Sequence, residues 1–172
     1  MDDMESAYRI CFVCTGNICR SPAAEVVVRA LAEQTGGSGV LVDSAGTGDW
    51  HVGQSADPRA RRALTAAGYD GRAHRARQFD PAWFRERDLI VALDRGHAQL
   101  LRSWAPDDDA RSRVRLLRSF DPAVEVPEED PLIDVVDPYY DGDDAFTVMV
   151  EQIEAAGAGL LARLPEWPRL GG

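Results

Sequence analysis

A cysteine and an arginine separated by five residues constrain the fold of this chain more than any other feature. The apolar run at residues 9–13 ends directly at Cys14, and Arg20 is followed at once by Ser21 and Pro22. A serine can cap the free N–H groups of a helix, and proline at the first helical position loses no hydrogen bond. The spacing therefore predicts a strand, a tight polar loop and the start of a helix in immediate succession.

The loop between this strand and helix has the composition of an anion-binding site. Its backbone N–H groups can converge on one anion, and the helix N-terminus adds a partial positive charge. Gly16 and Asn17 adopt left-handed backbone conformations at low cost, which a closed loop of this kind requires. The predicted phosphate-binding residues are Thr15, Gly16, Asn17, Ile18, Cys19 and Arg20.

Cys14 and Arg20 would give this loop its chemistry. A cysteine in a positive field is favoured as the thiolate, which is the nucleophilic form. The arginine offers paired, planar N–H donors that match two oxygens of a phosphate group. The common fate of a free cysteine is to be a small buried hydrophobe, but the surrounding residues favour a nucleophile. The pattern predicts a site for a phosphate ester that is attacked at phosphorus.

Two other interpretations of the cysteines fail. Cys11 and Cys14 have the spacing of a zinc or thioredoxin-like pair. A structural zinc site needs four ligands, whereas the chain has three cysteines, and its three histidines lie far away in sequence. A thioredoxin-type pair opens a helix, whereas Cys11 lies inside the predicted strand and points away from Cys14. We expect neither a metal nor another cofactor.

Length, charge and cysteine content narrow the class of protein. A chain of 172 residues is typical of one domain, here residues 1–172 with a flexible tail at residues 1–7. The formal net charge of −10 argues against binding to nucleic acid or to anionic membranes. Three cysteines, no evident membrane span and no signal peptide predict a cytoplasmic protein. Export by a route without such a signal stays open.

Strands and helices alternate along the chain. Strands are predicted at residues 8–13, 40–45, 88–93 and 114–117, and helices at residues 22–34, 59–67, 82–87, 96–104 and 145–164. In the first helix, the predicted buried stripe consists of Val26, Val27, Ala30 and Leu31. Such alternation predicts an α/β fold with a parallel sheet covered on both faces. Ligands of these sheets bind beyond the carboxyl ends of the strands, which is where Cys14 falls.

The motifs together resemble the low-molecular-weight protein tyrosine phosphatases, in their bacterial form. Beyond the loop, the family landmarks occur in order at residues 44–47, 49–53, 56–60, 74–78 and 137–140. The resemblance implies a three-layer, flavodoxin-like fold of the phosphotyrosine phosphatase I type, with four parallel strands. It also implies a monomer that hydrolyses phosphotyrosine in proteins, and small aryl phosphates, without a cofactor.

The resemblance implies a general acid as well. Asp-Pro pairs occur at Asp57, Asp80, Asp121, Asp130 and Asp137, and such pairs usually mark turns or helix caps. Asp137 is distinguished by the two tyrosines that follow its proline, as in the acid loop of the family. In the implied mechanism Cys14 attacks phosphorus, Arg20 holds the phosphate oxygens, and Asp137 protonates the leaving phenol and later activates water.

Further roles follow from the same resemblance. The implied substrate pocket consists of Thr15, Ile18, Trp50, Tyr139 and Tyr140. The residues implied to support the loop are Asn17, Ser21, Ser44 and His74, and Ser21 is expected to donate a hydrogen bond to the Cys14 sulfur. A sulfenic acid on Cys14 could also be captured by Cys19 as a disulfide. Ordinary packing or loop-anchoring roles stay open for the aromatic residues, for His74 and for Cys19.

Three rival functions remain for comparison. An arsenate reductase of the same fold requires a downstream cysteine pair, and no cysteine follows Cys19. A sugar phosphotransferase carrier would not need Arg20 together with an acid loop. A non-catalytic phosphotyrosine-binding module is expected to lack Cys14 or Asp137, and both are present. Hydrolysis of para-nitrophenyl phosphate that vanadate inhibits and chelators leave unchanged would separate these functions.

Overall fold

Four parallel strands form the centre of the protein. The computed structural model describes residues 7–35 and 39–166. The strands are β1 (Tyr8–Cys14), β2 (Val40–Gly46), β3 (Leu89–Ala92) and β4 (Val114–Leu116). They pair in the order β2-β1-β3-β4 and every pairing is parallel. The predicted four-stranded parallel sheet is confirmed, and β1 lies at its centre.

Helices cover both faces of this sheet. The α-helices are α1 (Arg20–Gln34), α2 (Pro58–Ala66), α3 (Arg95–Trp104), α4 (Asp108–Ser112) and α5 (Asp143–Arg163). Short 3-10 helices occur at Pro81–Arg85, Leu117–Phe120, Pro131–Ile133 and Leu164–Glu166. The alternating side chains of β1 enter two separate cores, with Ile10 and Phe12 in one, and Cys11 and Val13 in the other. The three-layer, flavodoxin-like architecture is thus confirmed.

The start of α1 differs from the prediction. The helix begins at Arg20, and its N-cap residue Cys19 makes no side-chain capping bond. Pro22 therefore lies inside the first turn, and the hydroxyl of Ser21 is directed to Cys14 instead of to a free helix N–H. The capping role predicted for Ser21 is wrong, because the preceding loop already turns into the helix one residue earlier.

The buried face of α1 is also displaced from the predicted stripe. Val27 is buried as predicted, whereas Val26 and Leu31 are only partly buried against the core. The fully enclosed positions include Ala24 and Val28, which face α5 and the sheet. The helix is buried along more of its circumference than an amphipathic surface helix, so a single apolar stripe described it poorly.

Other local differences concern short elements. The helix predicted at residues 82–87 is the 3-10 helix Pro81–Arg85, and the acidic run after residue 106 contains the short helix α4, capped by Asp107. Residues 1–6 of the predicted tail, and most of the predicted turn before β2, lie outside the described residues. Ala7, the last residue of that predicted tail, is buried.

Helix α5 is long and apolar enough, by length and composition alone, to cross a membrane. The structure gives another reason for its apolar composition, because one face of the helix packs against α1 in the main core. The residues that it buries there are Phe146, Met149, Val150, Ile153, Ala156, Gly157 and Leu160. A helix that packs in a protein core passes the same test, so α5 is only weak evidence for a membrane segment.

Candidate active site

The predicted nucleophile lies at the carboxyl edge of the sheet. Cys14 is the last residue of β1, and the loop that follows it returns to the sheet edge at Arg20, the first residue of α1. The Cys14 sulfur is buried and lies 2.9 Å from the Ser21 hydroxyl. That hydroxyl accepts a hydrogen bond from Asn17 Nδ2 at 2.8 Å. The same hydroxyl can donate to the carbonyl of Ala45 at 3.3 Å, and a donation to the sulfur at 2.9 Å would stabilise a thiolate.

Asn17 holds the middle of the loop in place. It has φ = 57°, the left-handed conformation that was predicted for it. Its Nδ2 donates to Ser21 and to the Ser44 hydroxyl at 2.9 Å, while its Oδ1 accepts from the N–H of Arg77 at 3.0 Å. The backbone donor at Arg77 fixes the orientation of the amide. All of the hydrogen-bonding groups of this buried side chain are engaged, so Asn17 is built into the fold.

Gly16 does not have the left-handed conformation predicted for it. Among the described glycines, only Gly53 and Gly68 have positive φ. The space around Gly16 explains its identity instead, because a Cβ atom there would lie 2.8 Å from Cδ2 of His51. A side chain at this position would displace the imidazole that lies against the loop.

Ser44 and His74 contact the loop from behind, as the resemblance implied. The Ser44 hydroxyl donates to Glu25 at 2.8 Å while it accepts from Asn17. His74 Nε2 donates to the backbone carbonyl of Asn17 at 2.7 Å. Burial lowers the pKa of His74, but both its neutral Nε2–H form and its protonated form can make this bond. The carbonyl of Asn17 is thus held in either state.

Arg20 is held on one side and open on the other. Its Nη1 donates to Asp94 Oδ2 at 2.8 Å and to the carbonyl of Val135 at 3.2 Å. Its Nη2 lies 3.5 Å from Asp137 Oδ2, at the cavity above Cys14. Two protein acceptors therefore orient the guanidinium, and its other edge faces the cavity beside Asp137.

The carboxylate of Asp137 lies in a different place from those of the other four Asp-Pro pairs. Asp57, Asp80 and Asp130 cap the short helices that follow them, and Asp121 accepts from the backbone two residues later. Asp137 also accepts from the N–H of Tyr139, at 3.2 Å, but its side chain is 56% exposed and lies beside Arg20. Among the five, it is the one that lines the cavity above the cysteine.

A cavity of about 320 Å³ opens above Cys14. The predicted pocket residues Thr15, Ile18, Trp50, Tyr139 and Tyr140 all line it. Trp50 is 71% exposed and Tyr140 is 92% exposed, so neither is a core residue. The two tyrosine rings meet edge to face at 4.9 Å, and the guanidinium of Arg59 lies over Tyr139. The cavity therefore has a polar base and an aromatic rim.

Sequence reasoning missed three residues near this cavity. Asp94 holds Arg20, His51 lines the cavity, and His97 lies 2.8 Å from Thr15 Oγ1 through its Nε2. The sequence position of Asp94 did indicate a place near the site, because Asp94 follows β3 closely and β3 is the neighbour of β1 in the sheet. Residues just beyond the carboxyl ends of neighbouring parallel strands meet at one edge. His97 carried no comparable signal, since its contact depends on how α3 packs.

The other two cysteines occupy different environments. Cys19 is buried, and burial is the main cause that raises the pKa of its thiol well above its ordinary value. It still lines the cavity beside Cys14. Cys11 lies on the opposite face of the sheet, where burial likewise raises its pKa, so it does not pair with Cys14. Within residues 7–35 and 39–166, no group of three or more metal-ligating side chains comes together.

Sequence comparison finds a matching family and close relatives of this chain among known proteins. The sequence model described as "Low molecular weight phosphotyrosine protein phosphatase" matches residues 9–168. A low molecular weight protein-tyrosine-phosphatase of Streptomyces coelicolor is 54% identical over 160 residues, which cover 92% of this chain and 94% of the relative.

Solved structures agree with the sequence relatives. A protein tyrosine phosphatase from Entamoeba histolytica superimposes with a TM-score of 0.85 at 30% identity, covering 93% of this chain and 98% of that one. Wzb from Vibrio vulnificus, solved in complex with benzylphosphonate, superimposes with a TM-score of 0.77 at 28% identity, covering 91% and 99%. These likenesses extend over nearly the whole of each chain.

Proposed function

Because the chain belongs to the low molecular weight phosphotyrosine protein phosphatase family, it is a protein-tyrosine phosphatase, and we propose that Cys14, Arg20 and Asp137 perform its reaction. The observation that supports these roles most strongly is that all three side chains line one cavity. Cys14 lies at its base, and the open edge of Arg20 lies 3.5 Å from the Asp137 carboxylate.

In the first step, the Cys14 thiolate attacks phosphorus opposite the phenolic oxygen. A sulfur–phosphorus bond forms as the phosphorus–oxygen bond breaks, and Asp137 gives its proton to the departing phenol. The open edge of Arg20 and the loop N–H groups hold the three equatorial phosphate oxygens. Ser21, 2.9 Å from the sulfur, stabilises the thiolate before the attack.

In the second step, water attacks the cysteinyl-phosphate. The Asp137 carboxylate, now deprotonated, takes a proton from that water as the new oxygen–phosphorus bond forms. The sulfur–phosphorus bond breaks, inorganic phosphate is released, and Cys14 returns as the thiolate. The proton that Asp137 lost in the first step is thereby regained, so the cycle closes without a cofactor.

The aromatic rim supports a phosphorylated ring as the substrate. Trp50 and the two tyrosines offer flat apolar faces around the cavity mouth, which favour a ring over a short alkyl chain. The neighbouring structure of Wzb holds benzylphosphonate, in which a phosphonate is joined to a benzyl group. We infer that phosphotyrosine enters with its phosphate at Cys14 and its ring between these aromatic side chains.

Replacement of the nucleophile tests the proposal. Cys14→Ser should lower the turnover of a phosphotyrosine peptide by a factor of about 10⁴ or more, while the folded protein still binds vanadate or phosphate. Cys11→Ala is the matched control, because Cys11 lies on the other face of the sheet, and it should retain turnover. Normal turnover by Cys14→Ser would refute the assigned mechanism.

We also propose that Cys19 protects Cys14 from irreversible oxidation. Peroxide would oxidise the Cys14 thiolate to a sulfenic acid, and the Cys19 thiol would then displace water to form a disulfide. Both residues line the same cavity. Peptide mapping after peroxide treatment should find a 14–19 disulfide. Sulfonic acid at Cys14 without that disulfide would contradict the proposal.

Finally, we propose that the protein acts as a single-domain monomer in the cytoplasm and binds neither nucleic acid nor membranes. The formal net charge of −10 supports the last two points, since both surfaces are polyanionic. Size-exclusion chromatography with light scattering tests the monomer, and sedimentation with anionic vesicles tests the absence of membrane binding. A dimeric mass or co-sedimentation would contradict this part of the proposal.

A further inference from the structure

A continuous series of polar contacts joins the two ends of the phosphate loop through the first turn of α3. Arg20 Nη1 donates to Asp94 Oδ2 at 2.8 Å, and Asp94 Oδ1 accepts from the N–H of His97 at 2.9 Å. His97 Nε2 then lies 2.8 Å from Thr15 Oγ1. Thr15 follows the nucleophile directly, and Arg20 closes the loop, so α3 contacts both of its ends.

His97 is unusually placed for a histidine. Its side chain is 6% exposed, and burial lowers its pKa to about 4. The charged groups that act on it are Asp94, Arg20, Asp134 and Asp137. Its Nδ1 lies 3.2 Å from Asp94 Oδ1 without forming an aligned hydrogen bond. The neighbouring carboxylate favours the tautomer with hydrogen on Nδ1, so that Nε2 accepts from the Thr15 hydroxyl.

We propose that His97 is a positioning residue for the reaction: through the Thr15 hydroxyl it fixes the first residue of the phosphate loop relative to the Arg20 guanidinium. This inference depends on the proposed role of the loop. Because Asp94 and His97 belong to one helical turn, the same rigid element sets the position of the cation and of the residue after the nucleophile. The Asn17, Ser44 and His74 contacts, in contrast, hold only the middle of the loop.

The surroundings of His97 favour this role over simple packing. A buried imidazole whose Nδ1 lacks an aligned partner is a poor choice for packing alone, because an apolar side chain would leave no polar atom unsatisfied. Thr15, for its part, is exposed at the cavity, and among the described residues its hydroxyl has His97 as its hydrogen-bond partner. The carbonyls of Cys14 and Thr15 accept from the N–H groups of Thr47 and Gly48, and these backbone bonds do not engage the Thr15 side chain.

A double-mutant cycle tests the coupling between the two side chains. Thr15→Val keeps the shape of the side chain and removes its hydroxyl, and His97→Leu removes the imidazole. Each variant should lower kcat on a phosphotyrosine peptide about tenfold with KM changed less than twofold, because loop N–H groups contribute most in the transition state. The double variant should be no slower than either single variant.

Two further variants sharpen the test. His97→Gln restores a polar group within reach of Thr15 and should recover most of the lost kcat, which a packing role would not require. Thr65→Val, on the exposed face of α2, is the control for the threonine substitution and should leave kcat unchanged. If His97→Leu does not fold, His97→Met takes its place in the cycle, because a loss in Thr15→Val alone could also come from the position of Thr15 in the cavity lining.

Three results would overturn the inference: kcat of the folded single variants within twofold of the parent, losses that multiply in the double variant, or a glutamine variant no faster than the leucine variant. None of these results would contradict the role proposed for Cys14 as the nucleophile. Retained turnover in Cys14→Ser would instead refute the proposed function, so the two failures are distinguishable.

Discussion

The base and the rim of the cavity are built in opposite ways. At the base, Asn17 and Ser21 are completely buried, and Asn17 donates hydrogen bonds to Ser21 and Ser44. At the rim, Trp50 and Tyr140 are largely exposed. The base is therefore preorganised by the fold, whereas the rim consists of side chains with few fixed partners.

This difference corresponds to the two tasks of a phosphatase. Stabilising charge on a phosphoryl group requires donors that are already oriented before the reaction begins. Recognising an aromatic ring depends mainly on apolar contact area, which tolerates small movements. We therefore expect substitutions at the base to change kcat or stability, and substitutions at the rim to change KM.

Asp137 lies between the two regions and should show the largest effect after that of Cys14. Asp137→Asn removes the proton donor but keeps the shape of the side chain. We expect kcat on a phosphotyrosine peptide to fall by a factor of about 10²–10⁴, which is the usual contribution of a positioned acid. The loss on para-nitrophenyl phosphate should be smaller, since its leaving group needs less protonation.

The chain offers a matched control for this measurement. Asp130 also precedes a proline, but its carboxylate caps the short helix Pro131–Ile133. Asp130→Asn should leave kcat on both substrates unchanged. An Asp137→Asn variant that loses activity equally on both substrates would show that the residue does not protonate the leaving group.

The second effect concerns the acid stability of the base. The pKa of His97 is about 4 in the folded protein and about 6.5 in the unfolded chain. Between these values the unfolded chain binds the extra proton, so stability falls as the pH falls from 6.5 towards 4. The full difference corresponds to about 3 kcal/mol.

Urea unfolding of the parent protein and of His97→Leu across this pH range measures the effect. The difference in unfolding free energy between them should move in favour of the leucine variant by about 3 kcal/mol on going from pH 7 to pH 4. Parallel pH profiles for the two proteins would mean that His97 is not held neutral by the fold.

The residues at the base of the site could be selected from the sequence for a local reason. Cys14, Asn17, Arg20 and Ser21 belong to one short segment, and a strand followed by a loop and a helix defines their geometry without distant information. Asp137 and the tyrosines were identified by resemblance, since nothing local separates Asp137 from the other Asp-Pro pairs.

What the sequence could not predict depends on packing between distant elements. His97 reaches Thr15 only because α3 packs beside the carboxyl end of β1, 82 residues away in the sequence. Gly16 was expected to have a left-handed conformation, but it is small because His51 lies against it. Ser21 was expected both to cap α1 and to donate to the Cys14 sulfur; it contacts the sulfur and does not cap the helix. The errors at Gly16 and Ser21 assigned a backbone role to a residue that is explained by a side-chain contact.

Asn17 gives the third effect, which is on stability. Its replacement removes three buried hydrogen bonds, to Ser21, to Ser44 and from the N–H of Arg77, so Asn17→Gly should lower the free energy of unfolding by about 2 kcal/mol. Asn17→Ala should lower it by about 1 kcal/mol more, because alanine disfavours the left-handed conformation. Equal stabilities of the two variants, measured by urea unfolding, would exclude the backbone contribution.

The smallest effect should come from the rim. Tyr140→Ala removes a ring that is almost fully exposed and has one aromatic neighbour, Tyr139. An aromatic contact contributes about 0.5–1.5 kcal/mol, so KM for a phosphotyrosine peptide should rise about two- to tenfold, with kcat changed less than twofold. Leu132→Ala, an exposed apolar truncation outside the cavity lining, should change neither constant.

The separation between kcat and KM makes this last variant decisive for the comparison. A loss confined to kcat would mean that the Tyr140 ring helps to position Asp137, three residues earlier, and that the rim is as preorganised as the base. A rise confined to KM would mean that the exposed ring contributes binding energy alone. We expect the second result, since nothing in the described structure joins the Tyr140 side chain to Asp137 or Arg20.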